Sequence, residues 1–150
     1  MTDKKGYFAD CYVLTDKRTN EFVKSFLDNF VPNRLESADE YEVPQYSANT
    51  TYNFKTADEL INYLSENKNE KHTIYWRNTD KSDIRGAMCF YTNDGHLIIG
   101  LYCETMYPNT AIEDKIMTEL KIFCNDSRGY ISYEEPAANN TLEFLERIKS

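Results

Sequence analysis

The stretch RGAMCFYTNDGHLIIGLYCE, residues 85–104, sets two runs of strand formers, 86–92 and 97–103, on either side of Asn93-Asp94-Gly95-His96. Asp-Gly at the centre of a two-residue loop suits a type I′ turn, because both central residues then need positive φ and these two types tolerate it best. That turn would set the register: Phe90 opposite Ile99, Met88 opposite Leu101 and Thr92 opposite Leu97, with Tyr91 and Ile98, and Ala87 and Tyr102, paired on the other side. Both sides are apolar. A hairpin of this kind needs two covers, helices on both faces or helices on one and a partner on the other. In the same register Gly100 lies opposite Cys89 and leaves room for close approach of an aromatic ring.

Outward from the hairpin, period-two alternation over 6–15 predicts a strand in which Tyr7, Ala9, Cys11 and Val13 share one side. Thr15-Asp-Lys-Arg-Thr is a polar connection. Thr19 or Asn20 then caps a helix over 20–31 carrying Phe22, Val23, Phe26, Leu27 and Phe30, and Val31-Pro32 closes it. Thr56-Ala-Asp-Glu59 and Thr110-Ala-Ile-Glu113 both have the capping-box pattern, opening helices over 57–67 and 111–124. His72-Thr-Ile-Tyr-Trp-Arg77 reads as a strand that joins the hairpin in a three-stranded antiparallel meander. Tyr130-Ile-Ser-Tyr133 reads as a last strand. Asn140 caps a terminal helix over 141–149 with Leu142, Leu145 and Ile148 facing inward. The expected fold is therefore α+β, a mainly antiparallel sheet around the hairpin at 86–103 with about four helices packed on it. No composition shift or repeat divides residues 1–150, so one domain is expected.

The 41% hydrophobic content with only five Gly and four Pro is that of a globular chain. Twelve tyrosines suit half-buried sheet faces or a binding surface, since the ring packs while the hydroxyl stays wet. The formal charge of −8 repels phosphate backbones and anionic headgroups, and Lys68 with Lys71, interrupted by Asn69 and Glu70, makes no basic patch. Neither nucleic acid nor a membrane is an expected partner. The opening Met1-Thr-Asp-Lys-Lys-Gly is too polar for a signal peptide's apolar region, and no later run reaches spanning length, which gives a cytoplasmic expectation. Cys11, Cys89, Cys103 and Cys124 are widely spaced without a C-x-x-C pair and read as reduced core residues.

Chemistry is sparse. His72 and His96 lack any familiar metal-ligand spacing, so neither metal nor cofactor is expected. Cys103, His96 and Asp94 fail as a nucleophile set, because residue 103 lies about 20 Å along the strand from the turn. The five glycines stand alone, without a phosphate-binding loop. Glu134 and Glu135, as neighbours in an extended chain, point to opposite sides and cannot attack one bond together. No catalytic set emerges.

Residues 33–53 form the one long irregular connection. Glu36, Asp39, Glu40 and Glu42 are interleaved there with Tyr41, Tyr46 and Tyr52, a pattern suited either to docking a basic protein or to a solvated loop with one short edge strand. Carboxylates steer association and tyrosines supply contact area at modest entropy cost.

The acidic balance, Phe26-Leu27-x-x-Phe30-Val31-Pro32, Tyr75-Trp76 and Thr92-Asn-Asp-Gly95-His-Leu-Ile-Ile-Gly100-Leu resemble small bacterial proteins of the immunity type, which neutralise a cognate toxin. The resemblance covers the general layout of most of the chain. It implies a non-catalytic domain whose acidic surface meets a basic toxin without metal or cofactor. A protein-binding domain is thus the leading expectation, with a homodimer left open. The alternative is a small-ligand-binding domain whose pocket would be lined by Tyr12, Tyr75, Trp76 and Tyr91. An enzyme using Tyr, Asp and Glu alone stands third.

Overall fold

The computed structural model describes residues 8–149. In chain order the elements are β1 (Phe8–Thr15), α1 (Asn20–Phe30), β2 (Arg34–Glu36), β3 (Tyr41–Val43), β4 (Tyr52–Phe54), α2 (Ala57–Glu66), β5 (His72–Asn78), β6 (Ile84–Tyr91), β7 (Leu97–Glu104), α3 (Ala111–Cys124), β8 (Gly129–Ser132) and α4 (Thr141–Lys149). The first strand was expected over 6–15; positions 6 and 7 lie outside the described residues. Six strands form one antiparallel sheet in the order β2-β5-β6-β7-β1-β8, and β3 pairs with β4 separately. The fold class is α+β, with the expected meander β5-β6-β7 at the centre of the sheet.

The register of the central hairpin differs by one residue from the expected one. Tyr91 lies opposite Leu97, Phe90 opposite Ile98, Cys89 opposite Ile99 and Met88 opposite Gly100. The loop is longer than two residues. Thr92 N–H donates to the His96 carbonyl at 3.1 Å, and the Thr92 hydroxyl accepts the His96 N–H at 2.9 Å, which closes Asn93-Asp94-Gly95 as a three-residue loop. Only Gly95, at φ +88°, occupies the left-handed region, whereas a type I′ turn needs Asp94 there as well. The slip changes which residues share a side. Cys89 and Tyr91 face the same way as Leu97, Ile99 and Leu101, while Met88 and Phe90 share the opposite side with Ile98.

The first side is the main core. Val23, Phe26, Leu27 and Phe30 of α1, spaced at three and four, bury against the sheet, and burying each such side chain contributes roughly 1.5–3 kcal/mol before entropy. The Thr19 hydroxyl accepts the Phe22 N–H at 3.2 Å, and α1 ends at Val31 before Pro32. Phe123 of α3 packs its ring against Phe30 at 5.5 Å. α2 begins with the expected capping box between Thr56 and Glu59. The second box does not form. Glu113 is fully buried, its Oε2 accepting from the Thr105 hydroxyl at 2.6 Å and the Tyr133 hydroxyl at 3.0 Å, so Asn109 rather than Thr110 receives a first-turn N–H, that of Ala111. All four cysteines are free and buried.

Arg18, in the polar connection after β1, is also buried. Its Nε donates to the Leu64 carbonyl at 3.1 Å, Nη1 to Thr92 and His96 at 2.7 and 2.9 Å, and Nη2 to Asn67 and Glu70 at 3.2 and 2.8 Å. Five carbonyls from the end of α2, the loop after it and the hairpin turn thus converge on one guanidinium, which also lies over the Tyr91 ring at 5.0 Å.

On the second side, two glycines make room for aromatic rings. A Cβ on Gly86 would run into the Tyr102 ring, and one on Gly100 would meet the Tyr12 ring at 2.9 Å. Tyr12, Leu14, Met88 and Ile98 are covered by Ala137, Ala138 and Phe144, a C-terminal strap made of residues 133–140 and α4. The inward face of α4 differs from expectation: Phe144 is the buried anchor, Leu145 and Ile148 flank it, and Leu142 points to solvent at 69% exposure. Asn140 does cap the helix, accepting the Glu143 N–H at 2.9 Å. Polar contacts fasten the strap. The Tyr12 hydroxyl donates to the Glu135 carbonyl at 2.7 Å, Arg147 to the Pro136 carbonyl at 3.0 Å, and Thr141 N–H to Asp94 at 3.1 Å.

Asp10 is buried on this second side, and its carboxyl accepts the backbone N–H groups of Glu134 and Glu135. Burial pushes its pKa up to about 6, against the opposing pull of those amides. A carboxyl raised above its unfolded value favours folding fully below pH 4 and loses that contribution as pH rises through 6. Asp10→Asn should therefore gain stability relative to the wild type on going from pH 4 to pH 7, on the order of 2 kcal/mol. Urea unfolding at the two pH values measures it; parallel profiles would show that Asp10 is not shifted.

Candidate functional site

Residues 33–54 hold three short strands rather than one, and most of the acidic and tyrosine side chains there serve the fold. The Glu36 carboxylate accepts from the Tyr41 hydroxyl at 2.9 Å and from the Ala57 N–H at 3.0 Å, placing a negative charge at the N-terminus of α2, where the helix dipole favours it. Tyr41 is buried, and burial together with Glu36 pushes its phenol pKa up. Glu40 accepts from Asn53 at 3.0 Å and pairs with Lys55 at 3.5 Å; these contacts hold its carboxyl below the usual range. Tyr52 is half exposed and stacks on Phe54 with ring centroids 5.7 Å apart. Asp39 is exposed.

Tyr46 behaves differently. It is 85% exposed and sits at φ +63°, a region that costs a bulky residue roughly 1–2 kcal/mol. Its neighbour Gln45 holds the backbone in place. The Gln45 amide accepts the Thr73 N–H at 2.9 Å and donates to the Thr73 carbonyl at 3.4 Å, so a side chain completes the β5 ladder where β2 has ended and blocks that stretch to further strand pairing. Glu42, in β3, lends its carbonyl to His72 Nε2 at 2.8 Å.

Two clefts meet at Tyr46 and Tyr75. The larger, about 510 Å³, runs from Pro44 across Phe90 to Pro136, Ala137 and Ala138 of the strap. The smaller, about 280 Å³, holds Glu40 and Glu42. Gln45, Tyr46, Thr73 and Tyr75 belong to both and form the ridge between them. Tyr75 is 42% exposed, its ring edge-on to Phe90 at 5.9 Å, and burial, then the nearby Tyr46 and Asp10, push its phenol pKa up. In the larger cleft Lys71 is held by Asn139 at 2.8 Å.

The structure thus brings Glu40, Glu42 and Tyr46 together with Tyr75, and separates Tyr52, which packs on α2 through Tyr63 at 5.3 Å. Of the aromatics expected to line a ligand pocket, Tyr75 and Tyr91 border the larger cleft, whereas Tyr12 and Trp76 are buried elsewhere. Gln45 and the strap residues were not legible from spacing, because they come from segments about ninety residues apart. Among the described residues no group of three or more His, Cys, Asp or Glu side chains is placed to hold a metal ion, and no helix is long and apolar enough to cross a membrane. No family model, curated protein or solved structure matches the chain.

Proposed function

We propose that the chain is a non-catalytic protein-binding domain that docks a basic partner on residues 36–52 and the adjoining Tyr75, as a toxin-neutralising immunity-type protein would. The observation that carries this reading is Tyr46: a large aromatic held in solvent at a conformational cost, beside a second half-exposed tyrosine and the carboxylates of Glu40 and Glu42. Exposed aromatics with strained backbone concentrate at binding surfaces, and a chain of net charge −8 favours approach of a basic protein. Glu42 is the better steering charge, because Glu40 is already paired with Lys55.

Capture of partners from native-host lysate, with mass spectrometry, identifies the binder. Against that binder, Glu42→Gln should slow association and flatten its salt dependence, while Tyr46→Ala should mainly speed dissociation, by roughly tenfold or more. Unchanged rates in both variants would remove this surface from the interface. The size of the larger cleft favours a second reading, a small-ligand domain, since 510 Å³ lies within the range of ligand pockets. Loss of capture on adding a small-molecule extract, with no effect of salt, would favour it.

A further inference from the structure

We propose that two copies of the chain associate through the outer edge of β8, each β8 pairing antiparallel with the other and each α3 lying beside its counterpart. β8 ends the six-stranded sheet and has β1 on one side only. The Leu14 N–H donates to the Arg128 carbonyl at 2.9 Å, and Tyr130 and Ser132 lie opposite Tyr12 and Asp10. Backbone groups alternate in an antiparallel ladder, so Arg128, Tyr130 and Ser132 turn theirs toward β1, while the N–H and C=O groups of Gly129 and Ile131 point away from the sheet. Among the described residues nothing pairs with them. The other end of the sheet is guarded: β2 carries Arg34 and Glu36, and Gln45 fills the β5 ladder at Thr73. β8, Gly129-Tyr-Ile-Ser132, has neither a charge nor a proline to discourage a further strand. β2 and β5, which border the surface at 36–52, lie at the opposite end, so a dimer through β8 leaves that surface free.

A second copy fits this edge because the groups flanking it are self-complementary. A two-fold axis through Ile131, perpendicular to the sheet, lets the N–H and C=O of each Ile131 bond those of the other and keeps both α3 helices on one face. α3 runs antiparallel to β8. Lys121 lies beside Gly129, where an added Cβ would meet its Cε at 3.2 Å, and Glu113 accepts from the Tyr133 hydroxyl at 3.0 Å. Residues 113–121 of the helix and 129–133 of the strand each span about 12–13 Å, which puts Met117 level with Ile131. The same axis therefore brings Lys121 of each copy opposite Asp114 of the other. Asp114, Met117, Thr118 and Lys121 line an open cleft of about 420 Å³ together with Ile131, on the side where the second α3 would lie. Within one chain Asp114 and Lys121 sit two turns apart, about 10 Å along the helix, and among the described residues neither has an ion-pair partner. The Asp114 carboxylate accepts the Thr110 hydroxyl at 2.7 Å, which leaves its charge uncompensated.

Sedimentation velocity on the full chain, from micromolar to near-millimolar protein, should show a monomer–dimer equilibrium. Lys121→Glu and Asp114→Lys should each weaken dimerisation roughly tenfold, since each removes two exposed ion pairs and sets like charges together, and the double variant Asp114→Lys/Lys121→Glu should restore it. Asp114→Lys separates this contact from overall repulsion between two chains of charge −8: it reduces that charge and would tighten association if repulsion alone governed it. Ile131→Pro removes an N–H that β1 does not use and should abolish the dimer. Far-UV circular dichroism checks the fold of each variant, and the exposed charge swaps decide the outcome if Ile131→Pro does not fold. A chain that stays monomeric throughout would overturn the proposal. So would a dimer that Asp114→Lys tightens, that the double variant fails to restore, or that persists in folded Ile131→Pro.

Discussion

Arg18→Ala should lower the unfolding free energy by roughly 3–5 kcal/mol, a large share of what a domain of this size has. The guanidinium donates to five backbone carbonyls from three segments, and truncating it takes a donor from each, while only the His96 and Asn67 carbonyls keep the N–H groups of Thr92 and Glu70. Arg18→Lys should recover part of the loss, because an ammonium keeps the charge but has three donors and no planar fork. Urea denaturation with an unchanged slope would measure both. A loss below about 1 kcal/mol for Arg18→Ala would mean that water replaces the guanidinium without penalty, and the hairpin turn and the end of α2 would then be joined by other means.

Ile99→Ala should cost about 3–4 kcal/mol and Phe90→Ala about 1–2, despite the larger side chain lost in the second case. Ile99 is fully buried in the main core beneath α1, α2 and α3, whereas Phe90 lies on the second side, partly exposed in the larger cleft and touching Tyr12 and Tyr75 edge-on. The comparison probes the register. If the hairpin paired Phe90 with Ile99, both residues would share one environment and their truncations would track side-chain size. Greater damage from Phe90→Ala would restore that pairing.

The same hairpin shows where sequence reasoning stopped. Alternating apolar runs around Asn93-Asp94-Gly95 identify a hairpin, and capping residues at Thr19, Thr56 and Asn140 place helix starts to within a residue. Asp-Gly, however, suits both a two-residue loop and a three-residue loop with only the glycine at positive φ. The choice is made by the Thr92 hydroxyl, which bonds His96 N–H and Asp94. Such a side-chain bond is invisible to periodicity. Thr110-x-x-Glu113 matched a capping box by pattern, yet Glu113 is drawn inward by Thr105 and Tyr133. Arg18 looked like part of a polar loop because its acceptors lie 46 to 78 residues away.

The candidate surface was legible in part for a related reason. An acidic, tyrosine-rich connection can be noticed in a sequence, but its members separate only when their partners are known. Glu36 is engaged by Ala57 and Tyr41, and Glu40 by Asn53 and Lys55, which leaves Glu42 and Tyr46 beside Tyr75. Tyr75 joins them because β5 runs past the end of β2, a consequence of strand order that local spacing does not encode.

The most direct test of the proposed docking surface is hydrogen–deuterium exchange on the chain alone and in complex with the partner captured from its host. Protection on binding should be concentrated at residues 40–46, 73–75 and 136–139, the three segments that border the paired clefts. Protection confined to α3 and β8, on the far edge of the sheet, with no change at 40–46, would contradict it.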